Sequence, residues 1–306
     1  MNIYLAGGQV VAGYAMRLFL AGGQPQIKAA IQSTINQDES GGVMKAYLAE
    51  SGGCLFSDAN ILQSFYYADE YTENTIIPKS KNFMLDSGAF TFMQGKGGKI
   101  DWDDYVNRYA DFINKNHIGK YLELDIDNVV GFGEVLKIRD KLEQKTGVKP
   151  IPVWHKSRGL ERFKLDADNY PYVAIGGIVT KEIKPSEYPV FTVLINEAHN
   201  RGAKIHGLGF TNLQGMRKYH FDSVDSTAWV SGNRFGVVYF FDGKTMKKID
   251  KPPGKRVVSN KVALHNFEEW KKFCKYAELH FKKVRQPQEK TLSRNKTIYL
   301  IFKGGK

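Results

Sequence analysis

The residues of this chain best suited to chemistry are aspartates that follow short apolar runs. Leu85-Asp86-Ser87-Gly88-Ala89-Phe90, Leu124-Asp125-Ile126-Asp127 and Phe221-Asp222-Ser223-Val224-Asp225-Ser226 share this form, and Ala174-Ile175-Gly176-Gly177-Ile178 ends in a glycine pair. A carboxylate at the end of an apolar strand is costly to bury without a partner. Several converging on one mouth are hard to explain by packing, and two acids there raise each other's proton affinity, which suits acid–base work. Each also has a plainer reading. Asp86 could cap a helix or hold its loop through Ser87. Alternation puts Asp125 and Asp127 on one face of an extended strand, so one of them could be structural. Asp222 and Asp225 would point to opposite faces, and Asp225, at the end of the run, is favoured for the mouth. Gly176-Gly177 allows close approach of a flat ligand or makes a tight turn. Phe90 is a stacking face or ordinary core.

The elements that must position these residues alternate. Strand-like runs lie at 3–6, 62–67, 83–86, 121–126, 151–154, 172–176, 205–209 and 221–225. Between them, Tyr105, Tyr109, Phe112 and Ile113 mark one face of a helix over 104–114, with Asp101 as its cap. Less regular helical patterns cover 132–146 and 187–200. Eight strand–helix units predict a parallel (β/α)8 TIM barrel over 1–240, with active residues at the C-terminal strand ends. A doubly wound sheet is the alternative. It lacks a phosphate fingerprint, since Gly131-Phe132-Gly133 has no third glycine. Residues 241–306 predict a basic C-terminal extension packed on the barrel: a hairpin turning at Asp242-Gly243, a break at Pro252-Pro253-Gly254, an amphipathic helix over 266–283 and a last strand over 297–302. That helix would bury Phe267, Trp270, Cys274, Ala277 and Phe281 and leave Lys271, Lys272, Lys275, Lys282 and Lys283 outside.

Of 306 residues, 42% are hydrophobic and 25% charged, ordinary for a globular protein. The net charge of +12 is carried at one end: residues 244–306 hold 18 Lys/Arg against 5 Asp/Glu, and the rest is near neutral. Such a block favours a polyanion, nucleic acid before a plain solvated tail. No apolar run is long enough for a membrane span and no signal-peptide pattern opens the chain, so the cytoplasm is expected. Cys54 and Cys274 suit a reducing compartment and cannot build a multi-cysteine zinc site.

Over roughly residues 80–240 these motifs, in this order, resemble the tRNA-guanine transglycosylase superfamily, most of all its phage and bacterial branch that places 7-deazaguanine bases in DNA. The family's Asp-Ser-Gly-Gly-aromatic segment is similar to Asp86-Ser87-Gly88-Ala89-Phe90. Its Gly-Gly-Leu strand end is similar to Gly176-Gly177-Ile178, and its Asp-x-Phe-Asp nucleophile segment to Asp222-Ser223-Val224-Asp225.

The resemblance implies that Asp225 is the nucleophile at the sugar C1′ and Asp86 the general acid/base. It implies that Asp125 or Asp127 binds the guanine edge, that Ser87, Gly176 and Gly177 contact the base, and that Phe90 stacks on it. Arg234, downstream of the nucleophile, would hold a phosphate or orient a carboxylate. Lys271 and Lys272 would meet phosphates as part of the basic extension. The co-substrate would be a free 7-deazaguanine base such as 7-cyano-7-deazaguanine, with no redox cofactor or ATP.

The departures are specific. The family's three-cysteine, one-histidine zinc site has only His265, Cys274 and His280 in its region, so no metal is expected. Trp154-His155 stands where the family has a glutamine, leaving His155 to bond the base or a phosphate. Ser231 replaces an arginine. The short chain and missing zinc cysteines favour DNA over tRNA as partner; in a phage the setting would be the host cytoplasm. The rival readings are a tRNA-guanine transglycosylase, a glycoside hydrolase, and a catalytically inactive nucleic-acid-binding barrel.

Overall fold

The computed structural model describes residues 43–49, 58–93, 100–210, 212–230, 235–251, 254 and 259–281. Its centre is a curled half-barrel of seven parallel strands: β1 Lys45–Ala49, β2 Asn60–Ser64, β3 Asn82–Asp86, β4 Val153–Trp154, β5 Tyr172–Ile175, β6 Lys204–Gly207 and β7 Ser223–Ser226. They lie in the order β3-β2-β1-β7-β6-β5-β4. The two edges are bridged by one short stretch. Leu85 of β3 pairs in parallel with Tyr121, and Leu122 with Ile151 just before β4. Leu122 N–H donates to the Leu85 carbonyl at 2.9 Å, and Ile151 N–H to the Tyr121 carbonyl at 2.8 Å.

Strand alternation sorts the side chains. Tyr47 and Ala49 of β1 point inward with Leu62, Met84, Val153, Tyr172 and Ala174. Ala46 and Leu48 point outward to the helical layer. That layer contains α1 Trp102–Lys115, α2 Phe132–Thr146, α3 Gly159–Asn169, α4 Val190–Asn200, α5 Leu213–Lys218 and, after the sheet, α6 Ser259–His280. Asp101 caps α1, accepting from the Asp103 and Asp104 N–H groups at 3.0 and 3.1 Å, an arrangement worth about 1 kcal/mol. The buried Tyr109 of α1 donates its hydroxyl toward the Leu85 and Leu122 carbonyls at 3.3 and 2.9 Å. It thereby ties the helix to the strand end that carries Asp86.

The differences from the sequence pattern are local. The strand expected at 3–6 and the one at 297–302 lie outside the described residues. In the sheet, β1 occupies Lys45–Ala49, where Lys, Ala and Leu around Tyr47 lean to helix and the stretch becomes a strand through pairing on both sides. Expected strand 62–67 ends at Ser64 and turns into the 3-10 segment Phe65–Tyr67. Expected strand 121–126 pairs only at Tyr121 and Leu122, then bends into a helical turn, Asp127–Val130. The polar helix α3 buries little apolar surface besides Phe163 and Ala167, so its stripe is faint in the sequence.

After the sheet, β8 Val237–Phe241 and β9 Met246–Asp250 form an antiparallel hairpin. The connection is longer than a two-residue turn: Asp242 gathers the Lys244 and Thr245 N–H groups at 2.9 and 2.8 Å. A boundary at 240/241 falls inside β8. Phe267, Trp270, Cys274, Ala277 and Phe281 of this last segment lie in the main apolar cluster. The fully buried Asn266 of α6 joins it to the rest by donating to the Trp229 and Val237 carbonyls at 3.2 and 2.9 Å. Among the described residues no helix is long and apolar enough to cross a membrane.

Candidate active site

The C-terminal ends of β2, β3, β5 and β7 surround a cavity of about 280 Å³. Asp86, Ser87 and Phe90 line it from the β3 side, Glu123 and Asp125 from the bridging stretch, His155 from the end of β4, Gly176 and Gly177 from β5, and Asp225 from β7. Eight of the sequence-derived site residues therefore meet in one place. Tyr67 and Val179, both exposed, complete the rim beside the 45% exposed Phe90, leaving an aromatic face open to a planar ligand.

Asp86 ends β3, and its Oδ2 accepts the Gly88 N–H at 3.0 Å. Gly88 has φ +81°, and a Cβ there would meet Tyr66 Cβ at 2.8 Å, so this turn requires glycine. Burial first, then the charges of Asp225 and Asp125, push the Asp86 carboxyl up to about 6 against the pull of the Gly88 bond. Asp225 is held differently. Its Oδ1 accepts the Gly209 N–H at 2.6 Å and lies 3.2 Å from His206 Nε2. Asp222 faces away, its Oδ2 taken by the Ile205 N–H and by His199, both at 2.8 Å.

On the opposite side the carboxylates are ion-paired. Arg158, from the 3-10 turn Lys156–Arg158, reaches Asp125 at 2.7 Å, Asp127 at 3.0 Å and Glu123 at 3.1 Å. Its guanidinium lies 4.5 Å from the Phe132 ring centroid. Glu123, fully buried, also receives Arg139 at 2.5 Å, and Arg139 continues to Asp166 at 2.7 Å. Asp125 is further bonded to His155 Nε2 at 2.6 Å, while His155 Nδ1 meets Glu182 at 2.7 Å. Burial alone would lower the His155 imidazole, but the bonds to Asp125 and Glu182 raise it to about 10.

These contacts correct several expectations. Both ring nitrogens of His155 are taken by carboxylates, so at the cavity wall it positions Asp125. Asp127 opens a helical turn and pairs with Arg158, and it does not line the cavity. The Gly176-Gly177 pair, which lines the cavity, also makes room for the protein's own side chains. A Cβ on Gly176 would stand 2.7 Å from His155 Nε2, and one on Gly177, at φ +77°, 2.6 Å from Glu182 Oε2. Lys271 and Lys272 pair with Glu268 and Glu269 on their own helix, at 2.9 and 2.5 Å, and neither lines the cavity. Arg234 lies outside the described residues. His265, Cys274 and His280 do not converge: His265 bonds the Tyr239 carbonyl, Cys274 is buried in the core with its thiol pushed up to about 12 by that burial, and His280 packs on Tyr276.

Glu123, Arg158, Glu182, His206 and Gly209 are the site residues that sequence reasoning missed. Glu123 inside Tyr121-Leu122-Glu123-Leu124 and His206 inside Ile205-His206-Gly207 are polar interruptions of apolar runs, a signal that was there to read. Arg158 and Glu182 carry none, because only the folded chain brings them to Asp125.

No protein-family model matches the chain, and comparison with curated proteins finds no match. Among solved structures, a putative fructose-1,6-biphosphate aldolase from Coccidioides immitis is similar at 13% identity and a TM-score of 0.43, covering 81% of this chain and 91% of that one.

Proposed function

We propose that this protein is a base-exchanging transglycosylase that replaces guanine in DNA with a 7-deazaguanine base through a covalent Asp225–deoxyribosyl intermediate. The observation that carries the reading is the pair Asp86 and Asp225. They enter one cavity from different strands, neither with a lysine or arginine ion pair among the described residues, below an exposed Phe90. On this reading the bridging stretch at 121–122 is the eighth stave of a closed (β/α)8 barrel, and the site occupies its C-terminal face.

The chemistry then balances. Asp225 Oδ2, the oxygen not taken by Gly209 and His206, bonds to C1′ as the C1′–N9 bond breaks through an oxocarbenium-like transition state. The base leaves with that electron pair and takes a proton from Asp86. The incoming base returns its N9 proton to Asp86 and attacks C1′, and Asp225 departs as carboxylate. A carboxyl titrating near 6 serves both directions at neutral pH. Asp125 spends one lone pair on each oxygen on His155 and Arg158 and keeps acceptor capacity for the N1–H and 2-amino group of guanine. The target base must be flipped out of the duplex or presented on a single strand.

The test is incubation with duplex DNA or unmodified tRNA and 7-cyano-7-deazaguanine, followed by nucleoside mass spectrometry. Incorporation into DNA that Asp225→Ala and Asp86→Ala both abolish is the expected result. Incorporation into tRNA alone keeps the chemistry and moves the substrate. Release of free base without exchange favours a hydrolase, and DNA binding without either reaction favours an inactive barrel.

A further inference from the structure

Behind Asp225 a line of polar side chains runs down the inside of the sheet. β6 and β7 pair with His206 opposite Ser223, and β5 pairs with β6 one strand further on. His206 is fully buried, Ser223 and Tyr172 nearly so. His206 Nδ1 lies 2.5 Å from Ser223 Oγ, Ser223 Oγ bonds the Tyr172 hydroxyl, and His206 Nε2 faces Asp225 Oδ1 at 3.2 Å. The Tyr47 ring meets the imidazole edge-on, with centroids 6.2 Å apart. The Tyr172 ring packs among Leu62, Met84, Val153 and Ala174, while its hydroxyl, Ser223 and His206 place polar atoms in that apolar interior. Their chain of bonds ends at the carboxylate of the cavity.

Hydrogen-bond arithmetic gives the chain a direction. An ionised carboxylate only accepts, so Nε2 carries the hydrogen. Nδ1 of a neutral ring then accepts from the Ser223 hydroxyl, whose oxygen accepts from Tyr172. Each group is satisfied without placing a charge in the core.

We propose that His206, backed by Ser223 and Tyr172, is a positioning residue that fixes Asp225 Oδ1 together with the Gly209 N–H and so assists breakdown of the glycosyl ester. This rests on the reading of Asp225 as nucleophile. When Oδ2 bonds to C1′, Oδ1 becomes an ester carbonyl oxygen, a weaker acceptor, and both N–H bonds weaken. When the incoming base displaces Asp225, the charge returns and both bonds strengthen. Bonds that are stronger in the second transition state than in the ester accelerate that step.

The experiment follows the covalent protein–DNA adduct on denaturing gels and its chase by 7-cyano-7-deazaguanine, in the full chain. Thermal melting and DNA affinity are measured alongside. His206→Met, which keeps bulk and removes the donor, is expected to slow the chase at least tenfold and raise the steady-state adduct while the DNA Kd stays within twofold. His206→Gln, which keeps an N–H, recovers most of the chase rate, and Tyr172→Phe slows it about threefold. A wild-type chase in folded His206→Met overturns the proposal, as does parallel loss of adduct and exchange with Gln no better than Met. If His206→Met does not fold, Tyr172→Phe decides by the same chase. Adduct formed by Asp225→Ala, or none by wild type, removes the nucleophile assignment and this proposal with it. An Asp225-dependent adduct indifferent to His206 and Tyr172 removes this proposal alone.

Discussion

On the β4–β5 side of the cavity every carboxylate meets a cation: Asp125 and Asp127 meet Arg158, Glu123 meets Arg158 and Arg139, and Glu182 meets the His155 imidazole. On the β3 and β7 side, Asp86 and Asp225 meet backbone N–H groups and a buried histidine. The first arrangement fixes both charge and geometry, because separating any ion from its buried partners is expensive. The second leaves one carboxyl with a raised proton affinity and the other with a free oxygen. Groups of the first kind are suited to recognise a ligand, and groups of the second to change protonation or bonding during a reaction.

Substitutions on the two sides should therefore fail in different ways. Asp225→Ala is expected to lower base exchange about 10⁶-fold, the scale for losing a covalent nucleophile, with DNA affinity nearly unchanged. A loss of only tenfold would place the nucleophile elsewhere. Arg158→Met should act on stability instead. It leaves Glu123, Asp125 and Asp127 without their shared cation and should cost about 3–5 kcal/mol in denaturant unfolding. Arg158→Lys should restore only part of this, since an ammonium lacks the planar fork that reaches all three. Unchanged unfolding in Arg158→Met would mean the network does not hold this side together.

The pH dependence separates the sides further. With Asp86 raised to about 6, adduct formation, which needs its proton, should fall about tenfold per pH unit above that value. Asp86→Asn should be slow at every pH and lack this slope. Wild-type stability falls with rising pH as well. Below about 3.8 the carboxyl is protonated in both folded and unfolded chains, and between there and about 6 only the folded chain keeps the proton. Above about 6 the folded chain carries a partly buried charge at a cost of about 3 kcal/mol. Asp86→Asn should accordingly be more stable than wild type at pH 8 and gain nothing at pH 3.5, and equal gains at both would refute a titrating Asp86. The smallest effect is expected at the rim. Phe90→Ala should weaken the base KM roughly fivefold, about 1 kcal/mol of stacking, without altering the chase rate once base is saturating.

How much of this was legible in the sequence differs from one residue to the next. Asp86 and Asp225 could be found because a polar residue at the end of an apolar run marks a strand end, and parallel strands present those ends on one side. The helix over Trp102–Lys115 and its Asp101 cap were readable for a similar reason, since periodicity and capping are local properties. The amino-acid sequence by itself thus determined that Asp86 and Asp225 close apolar strands and which face of the helix over Trp102–Lys115 must be covered. The tertiary structure alone decided that Lys45–Ala49 is a strand, because its pairing on both sides overrides the lean to helix of Lys, Ala and Leu around Tyr47. It also decided that His155 is spent on two carboxylates, that Gly176 and Gly177 make room for that contact, and that Arg158 rather than a ligand satisfies Asp127. Partners of this kind are far apart in the chain, and a charge finds its counter-ion only when the strands and helices that carry them have packed.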